Sequence, residues 1–250
     1  MKQNFKLIVS YDGTRFFGWE HQPTTDMTIQ GKLESVLTRM TGLPEDKPVT
    51  VIGAGRTDAG VHARAMTCNV LLDTDMTPDE IQAYMNQYLP EDISVNEVKL
   101  AADRFHSRFK ATGKTYRYSL WYGATKPVFD RKYVAVLDKA PNLELMREAA
   151  ELMTGTHDYK CFCGNPKMKK STVRTVDSIN IETKGNYIRI YFHGNGFLQN
   201  MVRIMTGTLL AVGNGEIKPS DIPAIIESKN RQNAGPTAPP HGLCLMKVDY

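Results

Sequence analysis

Hydrophobic and polar positions alternate over residues 5–11, with Ile, Val and Tyr along the run, and this two-residue period predicts a strand. Asp12-Gly13-Thr14 closes it as a turn. The period then changes: Ile29, Leu33, Val36, Leu37 and Met40 recur at helical spacing, and Gly42-Leu43-Pro44 stops that helix. Residues 49–52 form a short strand running into a glycine-rich loop over 53–60. A strand over 66–72 follows. Thr77 caps a helix with Pro78 in its first turn. Strands return over 93–98 and 115–121. The pattern fades over 127–141, read as a linker between an N-terminal half, 1–126, and a C-terminal half, 142–250. The second half begins with a helix over 143–153. Strands over 173–181 and 187–192 pair around the turn Lys184-Gly185-Asn186. A helix spans 197–212, with Met201, Ile204, Met205, Leu209 and Val212 as its apolar face. A short helix over 219–228, a loop over 232–240 and a strand over 243–248 end the chain. Strands and helices mixed in both halves without strict βαβ alternation predict an α+β fold. The halves are alike in order of elements but not in residues.

The 250 residues are enough to bury a core without a metal or disulfide staple. Apolar residues make up 41 % and charged residues 23 %, a globular balance. The net charge of +4 permits an anionic partner without demanding one. No apolar run reaches the roughly 18 residues of a membrane span. Lys2 and Lys6 precede a short apolar run, Leu7-Ile8-Val9, that is closed by Asp12, which reads as a strand and not as a leader. Cys68, Cys161, Cys163 and Cys244 make no disulfide framework and are expected as reduced thiols of a cytoplasmic protein.

The densest chemistry lies in Gly53-Ala54-Gly55-Arg56-Thr57-Asp58-Ala59-Gly60-Val61-His62. A phosphate-binding loop would need Lys and Ser or Thr after the last glycine, and a dinucleotide fingerprint would need a small residue where Asp58 stands; both fail. What remains is an Arg and an Asp two residues apart on a loop after a strand. Asp58 is a candidate nucleophile or base that a nearby cation would keep ionised, or else a carboxylate capping a turn. A second segment, 104–118, interleaves Arg104, Arg108, Lys110, Lys114 and Arg117 with Phe105, Phe109, Tyr116 and Tyr118, and has no acid. Cations for phosphates and rings for unpaired bases suit RNA; the alternative is a solvated strand edge. A third, 159–176, carries Lys160, Lys167, Lys169, Lys170 and Arg174 without an acid, as an irregular basic loop for a phosphate backbone or a solvated surface. Cys161 and Cys163 are spaced C-x-C with no second pair, which argues against zinc. Arg203 lies beside the apolar face of its helix, where it needs a partner such as Asp58 or a route to solvent.

Taken together, Tyr11-Asp12-Gly13-Thr14 with Phe17-Gly18-Trp19, then 53–62, 105–118, 197–203 and Ala238-Pro239-Pro240-His241-Gly242-Leu243, resemble the tRNA pseudouridine synthase A (TruA) family along nearly the whole chain. The stretch Gly55-Arg56-Thr57-Asp58-Ala59-Gly60 is the most specific of these. The resemblance implies two similar α/β-sandwich halves of ferredoxin or RRM type, joined into one extended, mixed, mostly antiparallel sheet with an active-site cleft between them. It implies isomerisation of uridine to pseudouridine at tRNA nucleotides 38 to 40, in the anticodon stem-loop. Asp58 would be the nucleophile, Tyr116 would stack on the target base, Arg203 would pair with Asp58, and Arg56 would help flip or hold the nucleotide. Arg104, Arg108, Lys114, Lys169 and Lys170 are expected to bind the substrate. No metal and no cofactor is expected, and the partners are tRNA and a second copy of the chain. Glu20 stands where Gln is usual, Ser107 where Ala is common, and Gln199-Asn200 at variable positions; none of these is expected to touch the chemistry. A non-catalytic tRNA-binding or chaperone module is the alternative, and a glycosidase-like hydrolase ranks last for want of a second carboxylate.

Overall fold

The computed structural model describes residues 2–250. Two compact units emerge: the first runs to Thr112 and takes in Leu245–Tyr250, and the second is Gly113–Cys244. The α+β class and the mixed, mostly antiparallel strand pairing expected from the sequence are both present.

In the first unit, β1 (Gln3–Tyr11), α1 (Ile29–Thr41), β2 (Val51–Gly53), β3 (His62–Leu72), α2 (Pro78–Tyr88) and β4 (Ile93–Ala101) follow one another as a split βαββαβ arrangement. Strand β1 lies between β3 and β4, antiparallel to both, and β2 pairs with β3. The two-residue period of β1 buries Phe5, Leu7, Val9 and Tyr11 on one face. Met66, Cys68, Val70 and Leu72 of β3 join that core. Helix α1 is capped by the Thr28 hydroxyl on the Gly31 amide and ends at Gly42 in the left-handed region, as its sequence signals predict. It buries Ile29, Leu33 and Leu37, each contributing about 1.5–3 kcal/mol on burial. Thr77 and Glu80 form the capping box of α2.

In the second unit, β5 (Gly113–Tyr122), β6 (Ala135–Leu137), α3 (Leu143–Leu152), β7 (Gly155–Asp158), β8 (Val173–Lys184), β9 (Tyr187–Gly194), α4 (Met201–Gly213) and α5 (Ile222–Ser228) precede β10 (Leu243–Asp249), which begins there and finishes in the first unit. The strand order is β5-β9-β8-β7, antiparallel throughout, with β6 parallel to β5. With β6, β7 and α5 set aside, the order β5-α3-β8-β9-α4-β10 parallels β1-α1-β2-β3-α2-β4; β5 falls in the second unit, whereas the sequence reading put 115–121 in the N-terminal half.

Three local expectations change. The stretch 127–141 contains β6 as well as turns. Strand β7, Gly-Thr-His-Asp, carries no alternation in its sequence that marks it. Helix α4 starts at Met201, not at residue 197, because Asn200 adopts a left-handed backbone (φ 59°) that breaks helical propagation. Its five predicted apolar positions are all buried. Among the described residues no helix is long and apolar enough to cross a membrane, and all four cysteines are free and buried.

Candidate active site

Asp58 sits half-buried on the loop joining β2 to β3. Its neighbours are fixed by the segment that follows β1. The Tyr11 hydroxyl and the Thr57 hydroxyl share a buried hydrogen bond of 2.8 Å. The Trp19 N–H donates to the Thr57 carbonyl at 3.0 Å, and the Gly60 N–H to the Phe16 carbonyl at 3.3 Å. The Gly13 N–H donates to Nδ1 of His62, just past the loop, at 3.0 Å. Gly18 has φ +94°, and a Cβ there would lie 2.6 Å from the Thr57 carbonyl oxygen. Only glycine combines that backbone with that approach. Trp19, 1 % exposed, closes the base of the loop against Gly53. The Tyr11–Thr14 and Phe17–Trp19 motifs therefore form the frame that presents Asp58. The frame was legible as motif but not as mechanism, because long-range hydrogen bonds leave no period in a sequence.

Arg56 is on the same loop, and an Nη donates to Glu20 Oε1 at 2.8 Å. Arg104 and Arg108 lie exposed on the turn after β4. Within the first unit, the loop thus unites Asp58 with Arg56 and adds Glu20, while Arg104 and Arg108 belong to a separate turn.

The second unit holds the remaining expected residues. Tyr116 and Tyr118 share one face of β5, as their spacing predicts, and both are buried. Tyr116 is 7 % exposed and meets the ring of Phe197 edge-on, with centroids 5.3 Å apart. Tyr118 donates to the Pro239 carbonyl at 2.7 Å, and burial pushes its phenol well above the ordinary range. Arg203, in the first turn of α4, is half-buried. Its Nε donates to the Ala238 carbonyl at 2.8 Å and an Nη to Asn200 Oδ1 at 2.9 Å. The Ala238 N–H returns a bond to the Arg203 carbonyl at 3.1 Å. Loop 235–242 is thereby tied to α4. Burial also lowers the pKa of His241 in that loop, which favours the neutral imidazole. Phe197, Asn200 and His241 were within the recognised motifs but carried no assigned role.

Glu20 and Asn200, expected to lie away from the chemistry, meet two of the expected site residues: Glu20 pairs with Arg56 and Asn200 accepts from Arg203.

Lys114 is half-buried at the start of β5, opposite Gly194. Lys169 and Lys170 are exposed on the loop between residues 158 and 173. That loop is closed at its base by Asp158, which accepts from the Thr172 hydroxyl and the Lys160 N–H and pairs with Lys229 at 3.1 Å. The Thr172 bond is the main reason the Asp158 carboxyl titrates below its ordinary range. A depressed carboxylate stabilises the fold above its unfolded pKa and ceases to do so as pH falls through the folded value, so the clamp holds at neutral pH. Burial pushes the Cys161 thiol up to about 12, where it is neither nucleophile nor ready ligand. Among the described residues no group of three or more His, Cys, Asp or Glu is placed to hold a metal.

A family model described as "tRNA pseudouridine synthase" matches residues 7–110 and 149–250. The chain is 45 % identical over 247 residues to "tRNA pseudouridine synthase A" of Bacillus sp. (strain KSM-64), covering 99 % of each. It is 42 % identical over 248 residues to "tRNA pseudouridine synthase A 2" of Clostridium perfringens (strain 13 / Type A), covering 99 % of this chain and 100 % of that one. A solved structure, "Crystal Structure of a Cbf5-Nop10-Gar1 Complex", matches 96 % of this chain with a TM-score of 0.41 and 13 % identity. The chain spans 48 % of that protein's length, and a likeness at that level carries no weight here.

Proposed function

The chain belongs to the tRNA pseudouridine synthase family, and from that premise we propose that it converts uridines at tRNA positions 38, 39 and 40 to pseudouridine, with Asp58 as nucleophile. In that isomerisation the N1–C1′ bond breaks, the uracil rotates, and C5 bonds to C1′. C5 gives up its proton and N1 takes one, so electrons balance with no redox partner. A carboxylate suffices to attack C1′ or C6, or to remove the C2′ proton.

The observation that carries the nucleophile role is the framing of the Asp58 loop by Tyr11, Gly18 and Trp19. A reacting carboxylate needs a fixed position more than reach, because orientation supplies much of the rate. Arg203 is the proposed cation that favours the charged form of Asp58. Its support is a guanidinium held by Ala238 and Asn200. Arg56 is proposed to hold the flipped nucleotide, exchanging Glu20 for a phosphate. Tyr116 is proposed to stack on the extruded base, replacing the stacking lost from the stem. With 7 % of its surface exposed, it receives a base only when a neighbour such as Phe197 gives way. Arg104, Arg108, Lys114, Lys169 and Lys170 are proposed phosphate contacts. The reading includes a homodimer, an expectation of the family resemblance.

The test is position mapping. Unmodified tRNAs bearing uridine at 38, 39 or 40 are incubated with the protein, and pseudouridine is located by carbodiimide adducts that stop reverse transcription. Stops at these positions alone are expected. Pseudouridine elsewhere in the tRNA, with none at 38 to 40, overturns the site assignment.

A further inference from the structure

The turn after β4 holds two phenylalanines with opposite environments. Phe105 is used internally: its ring lies 5.1 Å from that of Tyr250, and the Lys6 ammonium sits 5.6 Å from its centroid. Phe109 is 79 % exposed. Its ring stacks on the His106 imidazole, with centroids 4.1 Å apart and 26° between planes. The imidazole is held in turn, because its Nδ1 accepts the N–H of Arg108 at 3.2 Å and of Phe109 at 3.3 Å.

The turn is fastened to the core of the first unit. Ser107 is fully buried; its hydroxyl donates to the Ile52 carbonyl and its N–H to Asn69 Oδ1 at 2.9 Å. The Tyr250 hydroxyl donates to the Ser107 carbonyl at 2.9 Å. The Asn4 side-chain amide donates to the carbonyls of Ala102 and Phe105. Ile52 immediately precedes Gly53, the residue from which the Asp58 loop departs. An exposed, pre-stacked ring therefore rides on a rigid turn that shares an anchor with the proposed nucleophile. Arg104, Arg108 and Lys110 share the turn with it, all exposed, and 104–110 contains no carboxylate.

We propose that Phe109, backed by His106, is a stacking platform for an unpaired base of the tRNA other than the reacting uridine, with Arg104, Arg108 and Lys110 taking the adjacent phosphates. The proposal rests on the tRNA reading above. Apart from its stack on His106, the Phe109 ring leaves most of its apolar surface in water, which does not favour the fold. An exposed ring on a turn that carries three exposed cations matches a nucleobase with its phosphates, which offers a flat face and negative charge together. Paired bases hide their faces, so the occupant comes from a loop or an end.

The test uses unmodified tRNA carrying 2-aminopurine at one unpaired anticodon-loop position at a time. Wild type, Phe109→Ala and Phe109→Tyr are compared for affinity, fluorescence quenching and conversion. Phe109→Ala should raise Kd roughly tenfold, abolish quenching at one position and leave the thermal melt unchanged, since stacking contributes about 1–3 kcal/mol per base. Phe109→Tyr should restore Kd to within about twofold of wild type, because its ring still stacks. Removing Arg108 by Arg108→Gln should reduce the salt slope of binding by about one phosphate contact, whereas Phe109→Ala should leave that slope intact. Wild-type affinity and quenching in Phe109→Ala, with conversion normal in both, overturns the platform alone. Unchanged RNA binding with a shifted sedimentation coefficient assigns the ring to an interface between copies and also overturns it. A wild type that binds no tRNA and forms no pseudouridine overturns the function reading, and the platform with it.

Discussion

Arg56 and Glu20 meet with their side chains 60 % and 49 % exposed. An ion pair in that setting contributes ~0–1 kcal/mol, so a phosphate oxygen displaces Glu20 at little cost. The carboxylate still repels the incoming backbone over about one Debye length, roughly 10 Å at 0.1 M salt. Glu20→Gln is therefore expected to tighten tRNA binding by about two- to fivefold at low ionic strength, with the gain shrinking as salt rises. Filter-binding titrations across salt concentrations measure this; unchanged affinity at low salt would mean that Arg56 does not meet the RNA. Asn200 shows the same scale of effect on the other unit. Its left-handed backbone ends the loop before α4 and its amide oxygen fixes Arg203. These are single side chains whose importance comes from what they touch, and neighbourhood is what a one-dimensional pattern lacks.

At the scale of elements, the close approach of loop 235–242 to α4 is made through Gly207. A Cβ there would fall 1.8 Å from the Pro236 carbonyl oxygen, and the Gly235 N–H donates to the Thr208 hydroxyl at 2.9 Å beside it. Gly207→Ala is expected to push the loop off the helix at a cost of ~1–3 kcal/mol. That corresponds to a melt lowered by about 2–12 °C for a chain of this size, read by circular dichroism. A melt within about one degree of wild type would show that the loop repacks freely. Elements with a strong period were legible before the fold was known. The alternation of β1, the 3.6-residue stripe of α1 and the Thr77-Pro78 cap of α2 each predicted an element within a few residues. Weak periods were not legible. Strand β6 is three residues long and parallel, and β7 reads Gly-Thr-His-Asp, with none of the β-branched or aromatic alternation that marks a strand apart from its one Thr. The apolar positions Phe197 and Leu198 extended the helical pattern of α4 past its true start, because a pattern of side chains is blind to a backbone turned left-handed at Asn200. For the site, the Asp58 loop was legible from its failure to fit any phosphate-loop pattern and from its family motif. The frame around it was not, since Tyr11 and Thr57 are 46 residues apart.

Across the whole molecule, a net charge of +4 is modest for a protein proposed to hold tRNA. Placement must then matter more than total, and Lys167, Lys169 and Lys170 stand together on a loop whose base is clamped by Asp158. Each phosphate contact contributes roughly 0.7 on single strands to 0.9 on B-form DNA to the slope of log K against log salt. Replacing two of these lysines with glutamine should lower the magnitude of that slope by about 1.4–1.8 and weaken binding at low salt. An unchanged slope would make this loop a solvated surface and confine the phosphate path to the other cations.

As the proposed nucleophile, Asp58 is required before a carbon–carbon bond can form at C5. The most direct measurement is release of tritium from unmodified tRNA labelled at uridine C5, with wild type beside Asp58→Asn. In the isomerisation C5 loses its hydrogen after it has bonded to C1′, and pseudouridine counted in the digested tRNA separates this release from simple exchange at C5. Wild type is expected to release tritium while Asp58→Asn releases none and binds the tRNA within a few-fold of wild type. Release by Asp58→Asn at the wild-type rate, or by neither protein with tRNA still bound, would contradict the account.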